Sequence, residues 1–210
     1  MSRSIKLISS ALIVAALAVG VWLAWSQSQS MKRISQLQQG ALDPVAHAQS
    51  LLATQRADKS AEWVETASAI ADQSADHDAL AIQLLKAALA ENPYFPRGWA
   101  LLAFLHTRDA GSFTAEAERA LERSIEVCPL CSKELLRWRL TFVLEHWTNV
   151  SEDTRVAAFV GADLLRWWHL DYEYLSRVRT EALGRGIAFD TYRKKVNSPV
   201  RTNEIGVRTD

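Results

Sequence analysis

Like residues recur 36 positions apart through the middle of the chain. Trp63 and Trp99, Ala67 and Ala103, Ala81 and Ala117, Leu85 and Leu121, Leu89 and Ile125, and Pro93 and Pro129 all keep this spacing. Coincidence at one period predicts a repeated unit, and a unit of this length holds a pair of helices. The residue types suit such a pair. A large side chain early in the first helix fills the gap to its neighbour, and a small one a turn later lets the paired helix approach. Proline after the pair ends it, because it cannot donate to the helix ladder. A non-repeating helical bundle is the alternative, and in it the same apolar stripes would still be core. No stretch sustains the alternation of a strand, and only 8 Gly and 5 Pro among 210 residues leave helices largely uninterrupted.

Local signals place the helices. Asp43 before Pro44 is an N-cap acceptor followed by proline at the first helical position. A second helix is expected from near Ser60 with Trp63, Ala67 and Ile70 on one face, and a third from Asp76 or Asp78 up to "ENPYFP". "ELLRWRLTFVLEHW" is apolar on nearly every side, with Leu136, Leu140, Leu144 and Trp147 on one face and Trp138 and Phe142 on another. That pattern predicts a helix sandwiched between neighbours. Asn149 or Ser151 caps the next helix, which places Val156, Val160, Leu164 and Trp168 along one side. "DYEYLSRVRTEAL" and a short "FDTYRKKV" follow, and residues 197–210 are poor in apolar residues and are expected to fray.

The segment "WALLAFLH" from Trp99 to His106, with Ala81, Leu85, Ala88 and Pro93 before it, resembles the tetratricopeptide repeat. The resemblance covers about residues 60–130, and Leu135 and Trp138 would open a third, degenerate unit. Two features depart from the family pattern. The period is 36 rather than the usual 34, and Ser124 stands where alanine is usual. The resemblance implies an all-α fold, a short α-solenoid of antiparallel helix pairs over residues 44–196. It also implies a role in binding a protein or peptide in a groove formed by the first helices. Arg97, His106, Arg137 and Arg139 are the expected partner-binding residues of that groove.

Ahead of the repeats, Leu7–Trp25 carries no charge. At about 1.5 Å per residue it is about 28 Å long, close to the ~30 Å hydrocarbon core. Arg3 and Lys6 precede it, and Trp22 and Trp25 would sit at the far interface. A single transmembrane helix over 7–25 is expected, with residues 1–6 cytoplasmic, a polar linker or stalk over 26–43, and the body in a bacterial periplasm. A cleaved signal peptide is the rival reading. Formal net charge is zero, and nothing in the charge distribution points to nucleic acid.

Cys128 and Cys131 are the two cysteines of the chain. No expected strand precedes them, as a thioredoxin-type motif would require, and Ser132 stands where c-type haem attachment needs histidine. A zinc site would have to recruit His106 and His146, and nothing in the spacing specifies that. In an oxidising compartment the pair is expected to form a structural disulfide in an inter-repeat turn. Thiol–disulfide chemistry at these cysteines is the enzymatic alternative. Trp147 and Trp167 leave open a glycan-binding module. Arg177, Arg179, Arg193, Lys194 and Lys195 form a basic patch that could meet anionic glycan or lipid. The chain lacks HExxH, Walker and Gly-rich dinucleotide motifs. The expected role is therefore non-catalytic and without a cofactor: a periplasmic scaffold, tethered to the inner membrane, for envelope assembly or export, with polysaccharide or cytochrome machinery among the conceivable clients.

Overall fold

The structure is a computed structural model that describes residues 3–54 and 60–196, with side chains described from Val19 onward except Leu23. The described residues form helices and turns, without strands. Their order is α1 (Arg3–Gln38), α2 (Pro44–Thr54), α3 (Ser60–Gln73), α4 (Asp78–Glu91), α5 (Pro96–Ala110), α6 (Ala115–Val127), α7 (Lys133–Glu145), α8 (Glu152–Trp167), α9 (Tyr172–Gly184) and α10 (Phe189–Lys195). A single 3₁₀ turn, Ala75–His77, joins α3 to α4. The fold is all-α, with adjacent helices packed as pairs in the manner of a helical repeat.

Capping chemistry fixes four of the starts. The Asp43 carboxylate accepts from the Val45 amide at 3.0 Å ahead of Pro44. Thr114, Ser132 and Ser151 accept from the amides of Ala117, Leu135 and Thr154, which are otherwise unpaired donors of α6, α7 and α8. Of the two expected caps for α8, Ser151 is the one used. Gly111, at φ 66°, ends α5 in the left-handed conformation that glycine adopts without penalty.

Contacts between the odd-numbered helices run in the same sequence direction. Arg33 of α1 meets Glu62 of α3, and further along Leu37 faces Glu65 and Ala69 across a cleft. Arg97 and Arg108 of α5 meet Glu65 and the Ala71 carbonyl. Arg137 and Thr141 of α7 meet Asp171 and Tyr174 of α9. The odd helices are therefore parallel, and each even helix returns against them. Ser124, near the end of α6, donates to the carbonyl of Pro96 at the start of α5. Gly98 lets α5 approach α3 and α4 closely, since a Cβ there would lie 3.1 Å from Leu89 and 3.2 Å from Val64.

Two hydrophobic clusters result. The first joins α2 to α6 and takes in Phe142 and Val143 of α7. The second joins α7 to α10 around Leu136, Leu140, Leu144, Phe159 and Phe189. α7 feeds both, as a helix apolar on two faces must. α8 keeps part of its expected stripe. Leu164 is buried and Val156 and Val160 pack partly against the second cluster, but the most buried side is Phe159, Ala162 and Leu165, and Trp168 caps the helix and is exposed. The chain leaves α8 through Leu170, at φ 51°, two residues after Trp168.

Among the described residues no helix is long and apolar enough to cross a membrane. Most of the expected span 7–25 has side chains outside the described residues, as do residues 1–6, and the tail 197–210 lies outside them altogether. Residues 26–38, expected as a polar stalk, are the end of α1 and lie against α3. Ser30 donates to Glu62 at 2.7 Å, Arg33 is bidentate on the same carboxylate, His47 of α2 is 3.0 Å from it, and Leu37 is buried. Burial alone would raise the Glu62 pKa. The hydrogen bonds from His47, Arg33 and Ser30 outweigh it and hold the carboxyl at about 2, against an ordinary 4.5. A carboxyl depressed in the folded state stabilises the fold above its unfolded pKa and loses that contribution as pH falls toward the folded value. Denaturant titrations should show stability falling by roughly 3 kcal/mol between about pH 5 and pH 2 from this group. Glu62→Gln should be destabilised at neutral pH and lose much of that acid dependence.

Candidate binding groove

The parallel odd helices share one open face, and three clefts lie along it. The first, about 710 Å³, lies between the end of α1 with its following loop and α3. Asp43, Glu65, Ser68 and Asp72 line it, and Arg97 of α5 closes one side. Arg97 donates to Glu65 at 2.8 Å, so the remaining carboxylates leave this end acidic. The second cleft, about 390 Å³, separates α5 from α7 and is lined by Phe104, Arg108, Trp138, Phe142, Glu145 and His146 among others. The third, between α7 and α9, is nearly closed at about 30 Å³ and shares Thr141 and Glu145 with the second. Arg97, Phe104 and Arg108 fall on one stripe of α5, which connects the first cleft to the second.

Aromatic rings build the wall of the second cleft. Trp138 and Phe142 stack at 4.7 Å between centroids, and Phe142 meets His146 edge-on at 4.8 Å. Phe113 stacks on His146 from behind at 5.4 Å. Arg108 lies 4.9 Å over Phe104, and its guanidinium is engaged by the buried Asp78 carboxylate and the Ala71 carbonyl. It positions the α3–α4 turn and presents mainly its apolar stem. The cleft therefore offers flat apolar surface with a carboxylate, Glu145, at its rim.

The expected groove residues take different places. Arg97 lies on the open face. His106 points the other way, toward Lys86 of α4 and Glu116 and Arg119 of α6, and burial with the Lys86 charge lowers its pKa. Arg137 is half-exposed and bidentate on Asp171, at 2.5 Å for each bond. Arg139 is buried, only 3% exposed. Its guanidinium donates to the Ser124 carbonyl and hydroxyl and, at 2.9 Å, to the Cys128 carbonyl. It thus satisfies carbonyls at the end of α6, where the helix dipole favours a cation. Burial without a carboxylate partner lowers its pKa to about 10. Arg139 belongs to the core and not to a surface for partners.

Cys128 and Cys131 are disulfide-bonded in the α6–α7 turn, with Cα atoms 5.4 Å apart. Among the described residues no three His, Cys, Asp or Glu converge to hold a metal ion, so His106 and His146 do not join the cysteines. Of the two tryptophans considered for sugar binding, Trp147 is packed: Arg155 lies 4.6 Å over its ring and Tyr192 meets it at 4.6 Å. Trp167 has the Arg166 guanidinium 5.0 Å over its ring. In the basic patch Arg177 pairs with Glu181, Arg179 with Asp190 and Lys195 with Glu152, while Arg193 and Lys194 lie close enough to Asp190 to help lower its pKa. The patch is largely compensated by its own acids.

Glu65, Asp72, Phe104 and Glu145 line the groove without having been singled out from the sequence, and Trp138, expected to open a third repeat, lines it as well. The stripe running from Arg97 along α5 held the signal for Phe104 and Arg108. No protein-family profile matches the chain, and no characterised protein or solved structure matches it significantly.

The Ser124–Arg139 pair yields a direct energetic test. Arg139→Ala should cost about 2–4 kcal/mol by stripping partners from buried carbonyls and opening a cavity. Ser124→Ala should cost less. A double-mutant cycle read by chemical denaturation should give a coupling of at least about 0.5 kcal/mol.

Proposed function

We propose that this protein is a non-catalytic docking module of the helical-repeat kind, held to a bacterial inner membrane by residues 7–25 with its body in the periplasm. It presents the open face of its odd helices to an extended segment of a protein partner. The reading rests chiefly on the continuous face of parallel odd helices, with an acidic cleft of about 710 Å³ followed by an aromatic one of about 390 Å³. A partner segment with basic residues toward α3 and a flat apolar residue between α5 and α7 complements that order of chemistry. Aromatic-lined pockets of this sort concentrate binding energy in few contacts. The uncharged 19-residue run ahead of the body, flanked by Arg3 and Lys6, supports the tether. A client in envelope assembly or export suits an exported, tethered scaffold.

The alternative of thiol–disulfide chemistry turns on Cys128 and Cys131, and here the turn they close already serves a structural end. It holds the Cys128 carbonyl against Arg139.

A photo-crosslinking residue at Phe104 of the full-length, membrane-inserted protein should give a discrete protein adduct in cells, and the same residue at Lys86 should give none. Phe104→Glu should weaken capture of that adduct's partner by about tenfold or more, while Cys128→Ser with Cys131→Ser leaves it largely intact. Equal labelling from both positions, or loss of capture with the cysteines alone, overturns the groove reading.

A further inference from the structure

The groove does not account for one group of exposed side chains. Beyond α1, the large apolar residues exposed among the described ones are Tyr94, Leu130, Trp168, Leu170, Tyr172 and Leu183. All but Leu183 lie in or beside three turns, α4–α5, α6–α7 and α8–α9, with exposures of 75% for Tyr94, 69% for Leu130, 74% for Trp168, 62% for Leu170 and 49% for Tyr172. Among the described residues, these are the turns that lead from an even helix into the next odd one. The opposite turns, from odd to even helices, hold no such residue, and only the α9–α10 turn has one beside it, Leu183. Tyr94 and Leu130 keep the 36-residue period of the array.

The parallel packing of the odd helices puts these turns on one edge, because each precedes the start of an odd helix. α1 runs in the same direction, so its apolar N-terminal half leaves from that edge. Ser30 is level with Glu62, two residues inside α3, and Gly98, two residues inside α5, packs on Val64. At about 1.5 Å per residue the starts of α3 and α5 stand roughly 5–8 Å from the level of Trp25, which is the depth of the headgroup layer between a ~30 Å core and a ~40–45 Å bilayer.

We propose that this edge rests in the headgroup layer of the bilayer that holds α1, with the α8–α9 turn as a second point of attachment. The proposal rests on the membrane tether inferred above. The occupant is a lipid interface rather than a protein groove or an anionic surface, for three reasons. The edge is continuous with the apolar half of α1, where Trp22 and Trp25 are also exposed. Its side chains are of the kind enriched at bilayer interfaces, namely Trp and Tyr with leucine. Its charges are balanced: Lys133, Arg137 and Arg166 are matched by Glu134, Asp171 and Glu173 in or near the same turns, with Lys133 and Arg137 paired to Asp171 and Arg166 against the rings of Trp167 and Tyr172. The exposed apolar load also grows with distance from α1 among the described turns, from Tyr94 through Leu130 to Trp168, Leu170 and Tyr172. A body fixed at one end by α1 needs its second contact at the other end. Leu170 is a non-glycine residue at φ 51°, where a β-carbon is disfavoured, and it spends that strain on an exposed leucine.

The full-length protein carrying 5-fluorotryptophan, reconstituted in phosphatidylcholine vesicles, tests this by fluorine NMR, with Trp168→Phe assigning the resonance. A headgroup-attached nitroxide should broaden Trp168, Trp22 and Trp25, and an aqueous gadolinium chelate should leave Trp168 sharp, both at high salt. Leu130→Ser with Leu170→Gly should abolish the nitroxide broadening of Trp168, spare that of Trp22 and Trp25, and leave helicity unchanged. Trp168 broadened by gadolinium and not by nitroxide, with Trp22 and Trp25 broadened by nitroxide, overturns the edge contact and leaves the tether standing. Protection of Trp168 that rises with the protein-to-lipid ratio, without nitroxide broadening, assigns the edge to a second copy and overturns it equally. No tryptophan broadened by nitroxide overturns the tether and the edge together.

Discussion

From α3 to α6 the helices of this array lie close because their contact points lack bulk. Ala67, Ala81, Ala103 and Ala117 are completely buried, and Gly98 lies against Leu89 and Val64 where no Cβ would fit without displacement. Interiors pack densely, so the position of a small residue decides where one helix crosses another. Repeating that position at 36 residues sets each odd helix down beside the last in the same direction. One face then collects the clefts, and one edge collects the starts of all the odd helices. The groove and the apolar edge are two consequences of the same register.

Buried charge complements that register at each junction. Glu62 gathers α1, α2 and α3, Asp78 with Arg108 ties the α3–α4 turn to α5, Arg139 with Ser124 ties α6 to α7, and Asp171 with Arg137 ties α7 to α9. Such pairs add little net stability over apolar replacements, since desolvation offsets their attraction, but a mispaired one is costly. Their placement at junctions suits fixing which helix follows which. Apolar stripes alone would tolerate slippage along a helix; a carboxylate needing two or three donors does not.

Much of this was legible in the residues. The starts at Pro44, Ser60 and Asp78, and the sandwiching of α7, follow from local signals: capping side chains, proline and the width of an apolar stripe. What escaped reading was whatever depends on a partner distant in sequence. Arg139 looks like a surface cation until it is set 36 residues after Ala103, where the repeat calls for a small side chain, and beside Ser124, where the repeat calls for alanine. Both departures fall in one junction and compensate each other, the serine supplying space and a hydroxyl for the guanidinium. His106 was misplaced because its aromatic counterpart, Phe142, works in the wall between α5 and α7, whereas His106 sits against α4 and α6. Trp168 fits the stripe of α8 by spacing, but it caps the helix and is exposed, with the left-handed Leu170 two residues after it.

On the proposed tether, the direction of the odd helices would also govern how the body meets a client. Helices parallel to a membrane-spanning α1 would stand across the plane of the bilayer, and because they stack sideways the line of clefts would run along the membrane and not away from it. A partner segment lying in them would then be held parallel to the surface, with the acidic cleft near α1 and the aromatic one two helices further on. That proposed geometry would suit a client itself bound to the membrane, whose segment already travels in two dimensions at the height of the groove. The continuity of α1 into the body matters for the same reason. With residues 26–38 helical and clamped by Glu62, there is no flexible stalk at that joint to let the groove turn away. Orientation is thereby paid for once, in folding, rather than at each binding event.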